Sequence, residues 1–276
     1  MLETPCARTK CNRSDRMKRE SCNVEVDGHV CIVTINRPDQ LNALNKSAHY
    51  ELSEVFDEFE HNPDCWVGII TGSGRAFCAG ADLKSEPLDR DFIPSSGFAG
   101  LTHRFDRTKP MIAAVNGLAL GGGFETALAC DIIIAAHDAR FGLTETRVGL
   151  YAAAGGIQRL TQEIGPKRAN ALLLTGRQIS AEEGEDLGFV NEVTSAGGAL
   201  SAARAWACEV VKCSPVAVAA TKAIARQMSA QTEDSIKSMM HLPAVRAIDG
   251  SPDLAEGTRA FTERRPPRWS NPKSKY

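Results

Sequence analysis

Short apolar runs and longer stretches of helical period alternate along the first part of the chain. Val30 to Ile35 reads VCIVTI, β-branched and apolar, and Asn36-Arg37-Pro38-Asp39 stops it, which predicts a buried strand entering a turn. Leu52, Val55, Phe56 and Phe59 then recur at i, i+3, i+4 and i+7, the spacing of one helix face, and Asn62-Pro63-Asp64 closes that helix. Further strands are predicted at 66–71 (WVGIIT), 111–115 (MIAAV) and 131–136 (DIIIAA). Short strands apolar on both faces, separated by helix-length segments, predict an α/β fold with helices packed over sheets.

Beyond about residue 155 the pattern becomes helical. GGIQRLTQEIG, KRANALLLTG and AEEGEDLG precede a lone strand-like FVNEV, and Ala-rich helices are predicted from about 198 to 248. Pro215, Pro243 and Pro252 each stand where a helix would begin. The pattern divides the chain into an N-terminal extension (1–21), an α/β core (22–195) and a helical C-terminal region (196–276). The extension, MLETPCARTKCNRSDRMKRE and one further residue, lacks the apolar stretch of a secretory signal and is expected to be disordered, with Met17 as a candidate true start. That predicts a cytoplasmic protein, or a mitochondrial-matrix one if the extension is a transit peptide.

Composition narrows the classes. The chain has 276 residues, is 43% apolar, and balances 32 basic against 34 acidic residues for a formal charge of -2, so no net field favours nucleic acid or an anionic membrane. The longest apolar stretches, such as Gly149 to Ile157, are about half of what a bilayer-spanning helix needs. Nine scattered cysteines with no C-x-x-C pair predict free thiols rather than a zinc site.

Three glycine-rich turns follow strand-like runs. The first, TGSGRAFCAGADLK at 71–84, is not a phosphate-binding P-loop, because Ala81-Asp82 follow Gly80 where Lys-Ser/Thr is needed. The second runs from Asn116 through Gly121-Gly122-Gly123 into FETALAC, a predicted helix with Glu125 in its first turn. Three glycines remove Cβ atoms from a strand-to-helix junction and leave free N–H groups that suit a developing oxyanion. The third, FGLTE, places Glu145 just after another strand. Two carboxylates near one apolar pocket can split acid and base roles, since burial and repulsion push their pKa values apart. Each turn alone is compatible with a tight turn, and each glutamate with a helix-end or surface acid. Cys78 reads as a small apolar filler, and His103 and His137 as solvated or structural histidines.

The order NRPDQLNALN, IITGSGRAFCAGADLK, KPMIAAVNGLALGGGFETALACDIIIAA, ARFGLTETRVGL, AGGIQRL, LLLTGRQISAEE, GFVNEV and AFTERRPPRW resembles the crotonase family, the enoyl-CoA hydratase/isomerase group. The resemblance covers roughly residues 22 to 270. It implies repeated β-β-α units with a helical C-terminal trimerisation region, assembled as a homotrimer or homohexamer. It further implies an acyl-CoA thioester substrate, coenzyme A being part of that substrate, with no other cofactor and no metal.

By the same resemblance, the backbone N–H groups of Ala81 and Gly122 form an oxyanion hole for the thioester carbonyl, and Glu125 and Glu145 are the catalytic glutamates. Ala79, Asp82, Leu83, Lys84 and Ala153 are expected to bind substrate, with Lys84, and Phe261 and Arg264 from a neighbouring subunit, reaching the CoA phosphates and adenine. The implied reaction is syn addition of water to a 2-enoyl-CoA, or its reverse. Another crotonase-family reaction, isomerisation or C–C cleavage, is the alternative, followed by a non-catalytic RNA-binding or scaffold protein. One departure stands out: Tyr151-Ala152-Ala153-Ala154-Gly155-Gly156 replaces the Ile-Pro-Gly-Ala-Gly-Gly of many hydratases. Ala153 would therefore put a methyl beside the attacking water, which leaves the acyl pocket open.

Overall fold

A computed structural model describes residues 19–85, 92–227, 243, 251–263 and 265–270. The predicted VCIVTI strand is β2 (Val30–Ile35), preceded by β1 (Cys22–Asp27) and followed by α1 (Lys46–His61). Asn45 caps α1 by accepting from the Ala48 N–H at 3.1 Å, an interaction typically worth about 1 kcal/mol. The predicted face of Leu52, Val55, Phe56 and Phe59 is buried.

Three strand pairs then repeat one plan. β3 (Val67–Gly72), β5 (Met111–Val115), β7 (Ile132–Ala136) and the later β10 (Glu192–Thr194) lie in a six-stranded sheet ordered β1-β2-β3-β5-β7-β10. β3, β5 and β7 are each followed by a three-residue strand, β4 (Ala76–Cys78), β6 (Leu118–Leu120) and β8 (Arg140–Gly142), that crosses into a second sheet, ordered β4-β6-β8-β9 with β9 at Ile179–Ser180. Helix α2 (Gly122–Leu128) completes the second unit, and a 3-10 turn (Glu145–Val148) takes the helix's place in the third. In the large sheet β1 alone runs antiparallel to its neighbour. These are the repeated β-β-α units that the resemblance implied.

Burial explains why the central strands read as apolar throughout. Side chains alternate between the sheet's faces, so Val33, Ile70, Ala113 and Ala135 enter one core while Ile32, Ile69, Ile112 and Ile134 enter another. The second core is covered by α6 (Ala199–Val211), whose Ala199, Ala203 and Ala207 recur at i, i+4 and i+8. Small side chains at that spacing let the helix backbone approach the sheet. The α/β packing therefore continues through Val211, past the boundary expected at residue 195.

The remaining elements are α3 (Gly156–Ile164), α4 (Pro166–Leu173), β9 (Ile179–Ser180), α5 (Ala181–Leu187), β10 (Glu192–Thr194), α7 (Pro215–Gln227) and α8 (Pro252–Glu263). Pro215 and Pro252 start their helices as expected. FVNEV is a strand only from Glu192 onward. The Phe189 and Val190 N–H groups still bond to the Gly184 carbonyl, and the Phe189 ring packs against Phe124 and Phe141. Most of the 1–21 extension, with Met17, and most of the helical segment expected at 228–248 lie outside the described residues. The seven cysteines among the described residues are free thiols, and no described helix is long and apolar enough to cross a membrane.

Candidate active site

The three glycine-rich turns converge because β4, β6 and β8 run parallel side by side, with one register shift between Ala76 and Cys78. Cys78 pairs with Ala119, and Leu120 with Gly142, so the carboxyl ends of the strands open onto one place. That edge is where parallel sheets commonly place ligands. Ala79–Ala81 leave β4 there, Gly121-Gly122 leave β6, and Leu143 to Glu145 leave β8. The Gly121 N–H donates to the Gly142 carbonyl at 2.8 Å, tying the second turn to the third.

Gly121 has φ 54, left-handed backbone that admits glycine readily, and it directs the chain from β6 into α2. The N–H groups of Gly122 and Gly123 then belong to the first helical turn, where no carbonyl of the helix can reach them. Ala81 is presented differently. The Leu44 N–H donates to the Gly80 carbonyl and the Asp82 N–H to the Leu44 carbonyl, both at 2.9 Å. A parallel bridge of this kind uses the groups on either side of Ala81 and turns its own N–H the other way. A Cβ built on Gly80 would lie 3.5 Å from the Gly122 nitrogen, so the two turns abut.

Glu125 is 3% exposed, and its Oε1 accepts from the N–H groups of Ala154 and Gly156, both at 2.8 Å. Burial pushes its carboxyl up to about 7; the charge of Glu145 adds to that, while the Gly156 and Ala154 N–H groups and the Arg159 guanidinium oppose it. Glu145 is half-buried, its carboxyl is also raised by burial, and its Oε2 is buried with no hydrogen-bond partner among the described residues. Its Oε1 would lie 3.4 Å from a Cβ on Gly121, against the entrance of α2. The two glutamates thus flank the turn that carries Gly122. One is gripped by backbone donors and the other has an unengaged oxygen.

Other expected residues fall into place unevenly. Asp82 forms a 3.1 Å ion pair with Arg37, and its Oδ1 accepts from the Lys84 N–H. Leu83 and Lys84 are exposed and Ala79 is half-buried. Ala153 is exposed and lines, with Gly155 and Arg159, a cavity of about 500 Å³. The Phe261 side chain and Arg264 lie outside the described residues. Cys78 is buried, and burial pushes its thiol up to about 12, which suits a filler and not a nucleophile. His103 and His137 are exposed. Among the described residues no group of three or more His, Cys, Asp or Glu side chains could hold a metal ion.

The role of residues 37–44 was missed in the sequence. Asn42, fully buried with φ 58, donates to the carbonyls of Ser73 and Ala76 at 2.8 and 2.7 Å and accepts from the Arg37 N–H. This knot holds the first glycine-rich turn, and Leu44 within it orients Ala81. Its signal was the NRPDQLNALN string itself, which read as a strand stop and as a family motif but not as a support for the first glycine-rich turn.

Comparison with known proteins identifies the family. A family model described as enoyl-CoA hydratase/isomerase matches residues 25–272. A carnitinyl-CoA dehydratase from Citrobacter koseri is 42% identical over 261 residues, covering 91% of this chain and 98% of its own length. One from Proteus mirabilis is 40% identical over 258 residues, with the same coverage of both chains. Among solved structures, enoyl-CoA hydratase EchA1 from Mycobacterium marinum superposes with a TM-score of 0.86 at 40% identity, covering 91% of this chain and 99% of that one. An enoyl-CoA hydratase from Mycobacterium tuberculosis H37Rv gives 0.86 at 39% identity, with the same coverage.

Proposed function

The chain belongs to the enoyl-CoA hydratase/isomerase family, the crotonases, and from that premise we propose that it interconverts a 2-enoyl-CoA and a 3-hydroxyacyl-CoA by adding or removing water. Enzymes of this family work on acyl-CoA thioesters, and two features of this chain support hydration over other outcomes of the same enolate. Both glutamates are present, and they flank one turn. The observation that carries the reading is the Glu125 carboxyl, placed near neutrality by burial and held by two backbone donors.

In this mechanism the thioester carbonyl accepts from the N–H groups of Ala81 and Gly122. Each such donor typically lowers the barrier by about 3 kcal/mol, because it is already in place as enolate charge develops on the oxygen. Glu125, ionised, takes a proton from water as the oxygen attacks Cβ, and Glu145, protonated, gives a proton to Cα. Dehydration runs the same steps in reverse. Ala79, Asp82, Leu83 and Lys84 would lie along the CoA moiety, with Phe261 and Arg264 of a neighbouring copy completing the site in a trimer or dimer of trimers. Relatives named carnitinyl-CoA dehydratase make the dehydration direction the second one to assay.

Two measurements test the reading. Mixing the protein with crotonyl-CoA should remove the absorbance of the conjugated thioester, and a panel that includes carnitinyl-CoA should rank the acyl groups. Glu125→Gln should lose hydration while retaining slow exchange of α-hydrogen for deuterium in a saturated acyl-CoA; Glu145→Gln should lose both. Full hydratase activity in either folded variant removes that residue from the mechanism, and reversed exchange behaviour swaps the two roles.

A further inference from the structure

Arg159 stands in the first turn of α3, immediately behind the loop that grips Glu125. Its Nη1 donates to the Ala154 carbonyl at 3.0 Å and its Nη2 to the Thr102 carbonyl at 2.5 Å. Ala154 is therefore held from both sides, its N–H by Glu125 and its carbonyl by Arg159. Gly155 crosses the guanidinium with φ 96, and a Cβ there would lie 2.3 Å from Nη1. The Phe105 ring centroid lies 5.9 Å from the guanidinium carbon. Thr102 closes the segment that carries Phe98, whose ring occupies the space beside Gly122. One guanidinium thus ties the Glu125 loop to the segment packed against the proposed oxyanion turn.

We propose that Arg159 is a positioning residue for Glu125: it fixes the Ala154 peptide whose N–H grips the carboxylate, and its positive charge faces that carboxylate. The inference rests on reading Glu125 as the group that activates water. Among the described residues, Glu145 from the turn after β8 and Arg159 from α3 bring charge to bear on the Glu125 carboxyl, and they act in opposite directions. Arg159 in turn faces the cations Arg107 and Arg226 and the thiol of Cys130. A planar fork can hold two carbonyls at once, which a lysine ammonium on a flexible stem reproduces poorly.

The test separates this inference from the reading beneath it by following the carboxyl itself. In the full chain labelled with 13C at glutamate carboxyls, the Glu125 signal is identified by its loss in Glu125→Gln and titrated by NMR, with no need for turnover. Arg159→Met should raise the Glu125 titration by roughly one pH unit, and Arg159→Lys should move it the same way by less. With crotonyl-CoA, kcat should fall by roughly tenfold or more while KM changes much less, since the contact acts on a proton-transfer group and not on CoA. An unmoved titration in folded Arg159→Met overturns the proposal; if that variant does not fold, an unmoved titration in Arg159→Lys does so. A moved titration in a protein that never hydrates an enoyl-CoA upholds Arg159 as positioning Glu125 and defeats the hydratase reading instead.

Discussion

Glu125 in the first turn of α2 and Asp131 just beyond its last turn are acids of similar intrinsic strength, six residues apart, and their surroundings treat them oppositely. Asp131 is given cations: its Oδ2 lies 2.6 Å from the Lys222 ammonium and 3.4 Å from the Arg107 guanidinium, and it accepts from the Met111 N–H at 2.8 Å. Burial alone would raise its pKa, yet Lys222 and Arg107 overcome that and hold the carboxyl below its usual range. Glu125 is given backbone dipoles and a neighbouring acid, so burial prevails and the carboxyl rises to about 7. The first arrangement fixes a charge and joins α7 to the sheet. The second leaves a proton free to come and go near neutrality, as a general base or acid requires.

Activity should separate the two most sharply. Glu125→Gln should lower hydration by roughly 10²- to 10⁴-fold, the usual contribution of a positioned proton-transfer group, without loss of melting temperature. Asp131→Asn should keep most of its turnover once folded. Comparable rate losses in both variants would break the comparison, because they would mean that Asp131 also serves the reaction.

Stability against pH gives the next largest effect. A carboxyl whose pKa is raised on folding adds stability that is complete below the unfolded value of 4.5 and is lost as pH rises to about 7. Ionised Glu125 therefore costs the fold at pH 8, by up to roughly 3 kcal/mol at 1.36 kcal/mol per pKa unit. Glu125→Gln should melt above the wild type at pH 8, and the gap should close near pH 5. Glu145 shifts the same way and adds to the wild-type slope. For Asp131 the sign reverses, since its depressed pKa contributes stability above the unfolded value that is lost on acidification. Asp131→Asn should cost roughly 1–3 kcal/mol at pH 7, between the cost of breaking an exposed ion pair and that of a fully buried one, because the Asp131 side chain is 28% exposed. Thermal melts of the wild type and Glu125→Gln from pH 5 to pH 8, and of the wild type and Asp131→Asn from pH 7 down to below the unfolded value of 3.8, would show either pattern absent.

What the sequence revealed follows the same division. The large sheet was legible because β2, β3, β5 and β7 are apolar on both faces, which only a strand covered on two sides sustains. Its edge strand β1 and the small sheet were not. β4, β6, β8 and β9 are two or three residues long, too short for a period to emerge, and their pairing is set by the units around them. Glu125 and Glu145 could be picked out by their places after strand ends and by the resemblance. Arg159 and Asn42 could not, because each acts by bonding carbonyls far along the chain, Thr102 for one and Ser73 and Ala76 for the other.

Ala153 offers the smallest effect and the finest test of the comparison. The sequence placed its methyl beside the attacking water, where many hydratases carry glycine, and that made the acyl pocket doubtful. In the folded chain Glu125 is held by the N–H groups of Ala154 and Gly156, while Ala153 is exposed between the buried Ala152 and Ala154 and lines the cavity shared with Gly155 and Arg159. A methyl on that side leaves the carboxylate's donors where they are. Ala153→Gly should therefore change kcat/KM for crotonyl-CoA by less than about threefold, with a stability loss of roughly 0.5–1 kcal/mol from added freedom in the unfolded chain. Longer or branched enoyl-CoAs should respond more than crotonyl-CoA if the cavity receives the acyl end. A rise of tenfold or more with crotonyl-CoA itself would place the methyl against the water after all, and would move control of Glu125 from the Ala154 and Gly156 donors to Ala153.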